Sequence, residues 1–280
     1  MPDLAPKWKI AVAMGLVYII WGSTYLAIRF AVETLPPLTM SGVRFLIAGG
    51  LLYGWSALRG GERVRAAHWR SAAVIGVLLL LFGNGFVVVA EKRVDSGLAA
   101  LLVSTTPLFM VILPWLFQGE KRPTLPVSLG ILLGLAGVGL LVRPAGIAGG
   151  SAGGGVDLWG AALLSGASLA WAAGSLYSRR AVLPASPLLS TGIEMLAGGA
   201  MMIAAGALLG ELGQIDAAHI STKSALAFAY LVVAAVVAFT AYLWLLRAAS
   251  PALVSTYSYV NPLVAVLLGW ALAGEPLTAR

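Results

Sequence analysis

The side chains that could bind or react with something lie almost entirely inside long apolar runs. Asn84 sits in Phe82-Gly83-Asn84-Gly85-Phe86, and Thr105 and Thr106 precede Pro107. Tyr257, Ser258, Tyr259 and Asn261 precede Pro262, while Phe239, Thr240 and Tyr242 occupy another apolar run. Trp21 and Trp171 fall near the middle of their own runs. Arg44 and Glu194 are the clear ionisable residues within such runs. An amide or hydroxyl in an apolar medium costs free energy unless it is hydrogen-bonded, and an ionisable group costs more. These residues therefore either tie helices together or face a cavity. The types present suit recognition: an uncharged pocket of aromatic surfaces with amide and hydroxyl handles is expected, with Arg44 and Glu194 apart from it. They do not suit catalysis. The chain has no cysteine and only two histidines, His68 and His219, both in segments read as loops. No nucleophile has a base beside it and no cluster has metal-ligand spacing, so neither an enzyme nor a cofactor is expected.

The elements that must position these residues are membrane helices. Of 280 residues, 60% are hydrophobic and 10% charged, well away from the balance of a soluble domain. Apolar runs of about 20 residues match a bilayer core of about 30 Å. Nine spans are predicted, at roughly 10–30, 37–58, 71–90, 97–117, 127–142, 158–178, 187–209, 225–246 and 251–273. Residues 145–155 are rich in Gly, Ala and Ser and read as a linker. The net charge of +7 sits in the short loops between spans, so it sets orientation and does not imply nucleic acid. Alternate loops carry eleven Lys and Arg on one side and six on the other, with Arg44 inside a span, which predicts a cytoplasmic N-terminus.

The chain also repeats itself. An offset of 155 pairs Pro107 with Pro262, Trp115 with Trp270, Gly119 with Gly274 and Glu120 with Glu275. An offset of 150 pairs Trp21 with Trp171, Pro37 with Pro187, Gly42 with Gly192 and Gly49 with Gly199. Two units of five spans each follow, residues 1–145 and 156–280 joined by 146–155. An odd number of spans per unit makes the second enter from the opposite side, which is inverted-topology symmetry. A tenth span is expected after Glu275 and is missing, which reads as a truncation.

Two five-span units, a proline in the fourth span of each and a Gly-Glu pair after it resemble the EamA family of the drug/metabolite transporter superfamily. The segments WGSTYLAIRF and WAAGSLYSRR, GVRFLIAGG and GIEMLAGGA, and TPLF…GE and NPLV…GE carry the likeness. Within the family the chain is most similar to the YddG-type bacterial exporters of aromatic amino acids. The resemblance implies an all-α polytopic membrane protein of ten helices, with a cavity between the halves lined by helices 1, 3, 4, 6, 8 and 9.

The expected function is export of small neutral or zwitterionic metabolites, amino acids including aromatic ones, across a bacterial inner membrane by alternating access. Trp21, Asn84, Phe86, Thr105, Trp171, Tyr242, Ser258 and Tyr259 are the expected substrate-binding residues. Pro107 and Pro262 are expected kinks or gates, because each removes a backbone donor and frees carbonyls at matched depth. Each candidate also has a plainer reading: packing for the tryptophans, interhelical hydrogen bonding for Asn84, snorkelling for Arg44, and C-capping with surface charge for Glu120 and Glu275. Spans 1, 3, 4, 8 and 9 contain no carboxylate, which favours a facilitator over proton antiport. The alternative is a proton-coupled efflux pump for lipophilic cations built on Glu194. The partners expected are a small-molecule substrate and the lipid bilayer, with a monomer the simpler oligomeric state.

Overall fold

The structure is a computed structural model that describes residues 6–117, 119, 122–141 and 157–275. The segment read as a linker, Glu120 and the residues after Glu275 lie outside the described residues. Nine helical rods account for nearly all of what is described: α1 (Lys7–Ala31), α2 (Pro37–Leu58), α3 (Ala66–Ala90), α4 (Ser96–Phe117), α5 (Leu125–Leu141), α6 (Leu158–Ser178), α7 (Pro187–Leu208), α8 (Thr222–Ala248) and α9 (residues 251–273). By length and composition α1, α3, α4, α7 and α8 can each cross a membrane, and α2 and α6 match them in length at 22 and 21 residues. The chain is thus an all-α polytopic membrane protein. Trp8, Trp55, Trp69, Trp115, Trp159 and Trp270 stay exposed near rod ends, where an amphipathic indole prefers the membrane interface. His68 corrects its loop placement: it lies buried in the first turn of α3, where its Nδ1 accepts from the Arg65 backbone N–H at 3.4 Å.

Helices of the first half pack mainly on helices of the second. The closest pair is α2 with α7, and glycine is the reason. A Cβ on Gly42 would lie 2.8 Å from the Gly199 carbonyl, and one on Gly199 would lie 2.9 Å from the Gly42 carbonyl. Gly49 and Gly192 make the same reciprocal contact, at 2.8 and 3.2 Å. In lipid, where burying apolar surface between helices gains little, such close backbone approach is a main source of attraction.

Three rods are not simple α-helices. α3 carries a π-helical stretch over Gly76–Asn84, and α8 carries one over Ala235–Phe239. At an offset of 155 the second matches the last five residues of the first. A π turn holds one extra residue, so it rotates every side chain beyond it. In α4 the helix breaks at Ser104–Thr105, just before Pro107. Pro107 cannot donate to the Val103 carbonyl, which instead accepts from Thr106 Oγ1 at 2.8 Å and Ser168 Oγ at 3.3 Å. The two prolines do not play matched parts. Pro262 lies inside the continuous helix Tyr257–Ala273, and the break in α9 falls earlier, between Pro251–Val254 and Tyr257. Both prolines are buried.

Candidate substrate cavity

A cavity opens between the halves, with about 650 Å³ of space free of protein atoms including its mouth. Its wall comes from α1, α3, α4, α6, α8 and α9, and also from α2 through Arg44. Among the described residues, none from α5 or α7 lines it.

Aromatic rings form part of the wall. Trp21 is the hub, with ring centroids 5.3 Å from Trp171, 5.5 Å from Phe239, 4.7 Å from Tyr242 and 5.0 Å from Tyr257. The edge-to-face geometry of most of these pairs puts positive ring edges against negative faces, which holds the rings in place. Tyr242 is fully buried behind the cavity wall. Its hydroxyl accepts from Trp171 Nε1 at 3.0 Å and lies 2.6 Å from Ser175 Oγ, so it orients Trp171 without reaching the cavity itself. Gly83 lets Trp171 stand this close, since a Cβ there would lie 2.9 Å from the indole.

Polar groups also enter the wall. Arg44 is 3% exposed, and its Nη2 donates to Asn84 Oδ1 at 2.6 Å. Asn261, with its amide turned so that nitrogen donates to the Tyr18 and Tyr257 carbonyls at 3.2 and 3.1 Å, closes the wall from α9.

Of the eight expected substrate-binding residues, Trp21, Asn84 and Trp171 line the cavity. The other five do not. Tyr242 supports from behind, as described. Phe86 packs against Phe82 and over Gly166. Thr105 is buried with its hydroxyl on the Leu102 carbonyl at 2.9 Å, spent on the break in its own helix. Ser258 is buried outside the wall, and Tyr259 is 58% exposed on the outer face of α9. Positions two apart on a helix point nearly opposite ways, so Tyr257 lines the cavity and Tyr259 does not. Tyr25 was missed. It sits one turn from Trp21 and one from Ile28, and that shared face was a readable signal.

One expectation about charge is corrected. The cavity is not chargeless, because Arg44 is in its wall. The spans named for a facilitator carry no carboxylate among the described residues, but one lies buried just beyond them. Glu91, one residue past the end of α3, is 3% exposed and neither carboxylate oxygen has a hydrogen-bond partner. The charges of Arg29, Arg44 and Glu275 reach it. Glu194 lies off the cavity within the α7 packing, with Arg247 the cation whose field acts on it.

Apart from the cavity residues, the start of α4 packs against α9. Glu275, expected at the surface, is 8% exposed. Its carboxylate accepts from Ser96 N–H at 3.2 Å, Ser96 Oγ at 2.8 Å and Gly97 N–H at 3.3 Å, and lies 3.3 Å from Arg29 Nη1. It therefore caps the start of α4 from the far end of the chain, where unpaired N–H groups and the helix dipole favour a negative charge. Gly97 and Gly269 allow the approach, since a side chain at either would strike Val266 or the Glu275 carboxylate.

No group of His, Cys, Asp and Glu that could hold a metal occurs among the described residues. The sequence matches the EamA-like transporter family twice, over residues 8–143 and 158–280. It is 44% identical over 268 residues, 95% of this chain and 83% of the other, to the uncharacterized inner membrane transporter YedA of Escherichia coli K12. It is 25% identical over 274 residues, 98% of this chain and 87% of the other, to the uncharacterized transporter YvbV of Bacillus subtilis 168. A solved crystal structure shares the fold at a TM-score of 0.68, with 20% identity, covering 96% of this chain and 91% of that one. With both halves matched and a cavity between apolar helices, the chain belongs to the EamA-like transporter family, a family of transporters and not of enzymes.

Proposed function

We propose that this protein exports small neutral or zwitterionic metabolites, aromatic amino acids among them, across an inner membrane with its N-terminus on the cytoplasmic side. The observation that carries the reading is the composition of the cavity wall: the rings of Trp21, Trp171, Phe239 and Tyr257 together with the polar groups of Arg44, Asn84 and Asn261. A flat apolar ring fits the first group and an ionic or amide head fits the second. Location and orientation draw on the name of the Escherichia coli relative and on the Lys and Arg bias between alternate loops.

Transport would proceed by alternating access, through rocking of two inverted units about the cavity. Supporting this, Trp21 stacks edge-on against its offset-150 counterpart Trp171, while the paired glycines cross over, Gly42 meeting Gly199 and Gly49 meeting Gly192, as two antiparallel copies of one helix would. The helix ends joined by Glu275 would part as the units rock.

Counterflow in proteoliposomes tests the proposal. Vesicles loaded with unlabelled phenylalanine or tryptophan should accumulate the labelled amino acid transiently, and protein-free vesicles should not. Absence of counterflow across a panel of zwitterionic amino acids would sink the reading. Trp171→Ala should weaken half-saturation for aromatic substrates by about tenfold, the equivalent of about 1.4 kcal/mol, which is the upper range of one aromatic pair.

The cation-pump alternative is disfavoured by the sign of the charge in the wall, since Arg44 repels a lipophilic cation. Glu194→Gln should leave amino-acid counterflow within about twofold of wild type, because Glu194 does not line the cavity. Loss of cation efflux in Glu194→Gln, with amino-acid counterflow absent in both proteins, would favour the pump instead.

A further inference from the structure

We propose that the Arg44 guanidinium is the anchor for a carboxylate on the transported solute, with Asn84 setting its orientation. The proposal deepens the reading above and rests on the cavity being the transport site.

A guanidinium buried to 3% exposure needs a compensating anion or a full set of acceptors. Arg44 has neither. One nitrogen is used, Nη2, by the short bond to Asn84 Oδ1. Nε is buried with no acceptor. Among the described residues no carboxylate lies within ion-pair distance of it, although the charge of Glu91 acts from farther away. The Phe45 ring lies against one face of the guanidinium, with its centroid 4.5 Å from Cζ. That contact and the Asn84 bond fix the plane of the fork while donors remain unclaimed at the cavity wall. A planar carboxylate is the group whose two oxygens match such a fork. The source could be the α-carboxylate of an amino acid or the carboxyl group of an aromatic acid without an amine. Both present the same two oxygens with an apolar ring a few bonds away, which the Trp21 and Trp171 rings would receive.

Binding to the purified full-length protein, read by solute-induced thermal shift, and counterflow in proteoliposomes together decide the matter. The probes are phenylalanine, phenylalaninamide and phenethylamine, which keep the ring and lose the carboxylate, and phenylpropionate, which keeps the carboxylate and loses the amine. Wild type should bind the two carboxylates at least tenfold more tightly than the two amines. Arg44→Gln should erase that preference and Arg44→Lys should retain part of it, because a point charge survives but the fork does not. Should Arg44→Gln fail to fold, Asn84→Ala frees the guanidinium without removing it and should reduce the preference severalfold. Equal binding of carboxylates and amines by wild type overturns the Arg44 proposal while leaving amino-acid transport standing. Tight binding of phenylpropionate with no counterflow of any amino acid supports Arg44 as anchor and overturns the proposed substrate class.

Discussion

Glu275→Ala is expected to loosen the seam between α4 and α9 and destabilise the protein in the same step. The Glu275 carboxylate is the acceptor for two backbone N–H groups and one hydroxyl at the start of α4. Those donors lie in a buried seam, so removing the acceptor leaves them unsatisfied, at about 1–3 kcal/mol for each buried polar group left without a partner. Arg29 also loses one of its two acidic neighbours, keeping only Asp95. The seam should therefore part more often. The chain has no native cysteine, so a single reporter is unambiguous. Ala100→Cys places a thiol on α4 at a residue 1% exposed in this structure. In detergent its maleimide labelling should be slow, and should accelerate at least tenfold when Glu275→Ala is added. Glu275→Gln, which retains one acceptor oxygen but no charge, should fall between. Unchanged labelling with a lowered melting temperature would mean that Glu275 is only a structural cap.

The second large effect is expected from a single added side chain between α2 and α7. A Cβ on Gly49 would lie 2.8 Å from the Gly192 carbonyl oxygen and 2.9 Å from the Leu196 backbone nitrogen. Backbone atoms cannot move aside as a flexible side chain can, so Gly49→Leu must push two whole helices apart. Overpacking of this kind costs about 1–3 kcal/mol even where side chains can adjust, and here they are not what collides. Little monodisperse protein should survive size-exclusion chromatography in detergent. Gly50→Leu is the matched control: the same chemistry one residue along, where an added Cβ meets nothing within 4 Å. It should run and melt like wild type. Equal behaviour of the two variants would show that the glycine contacts do not hold α2 against α7.

Much of the architecture could be read before any coordinates, for a plain reason. Span length, loop charge and repeat spacing are local or additive properties of a sequence in a bilayer. The helix bounds fell within a few residues of expectation, the longest shift being the earlier start of α3. Trp21 and Trp171 were legible as wall residues because an indole far from the interfaces needs a partner and the two occur at one offset.

What the tertiary structure alone decided was facing and burial. The π turns in α3 and α8 add a residue to the helical phase, and no local composition announces them. Asn84 and Val87 face the cavity, and Phe86, between them in the chain, does not. Tyr257 and Tyr259 are chemically alike and share a helix, and only the packing of α9 against α1 selects between them. Glu91, Arg44 and Glu275 show the strongest dependence. Arg44 is buried within α2 beside Asn84 of α3, and Glu91 and Glu275 are buried at helix ends, each by elements far from it in the chain. Glu275 caps residues 179 and 178 positions earlier. Whether a charge ends in water, lipid or a cavity is settled by which neighbours exclude solvent from it, and those neighbours are named only once the helices have packed.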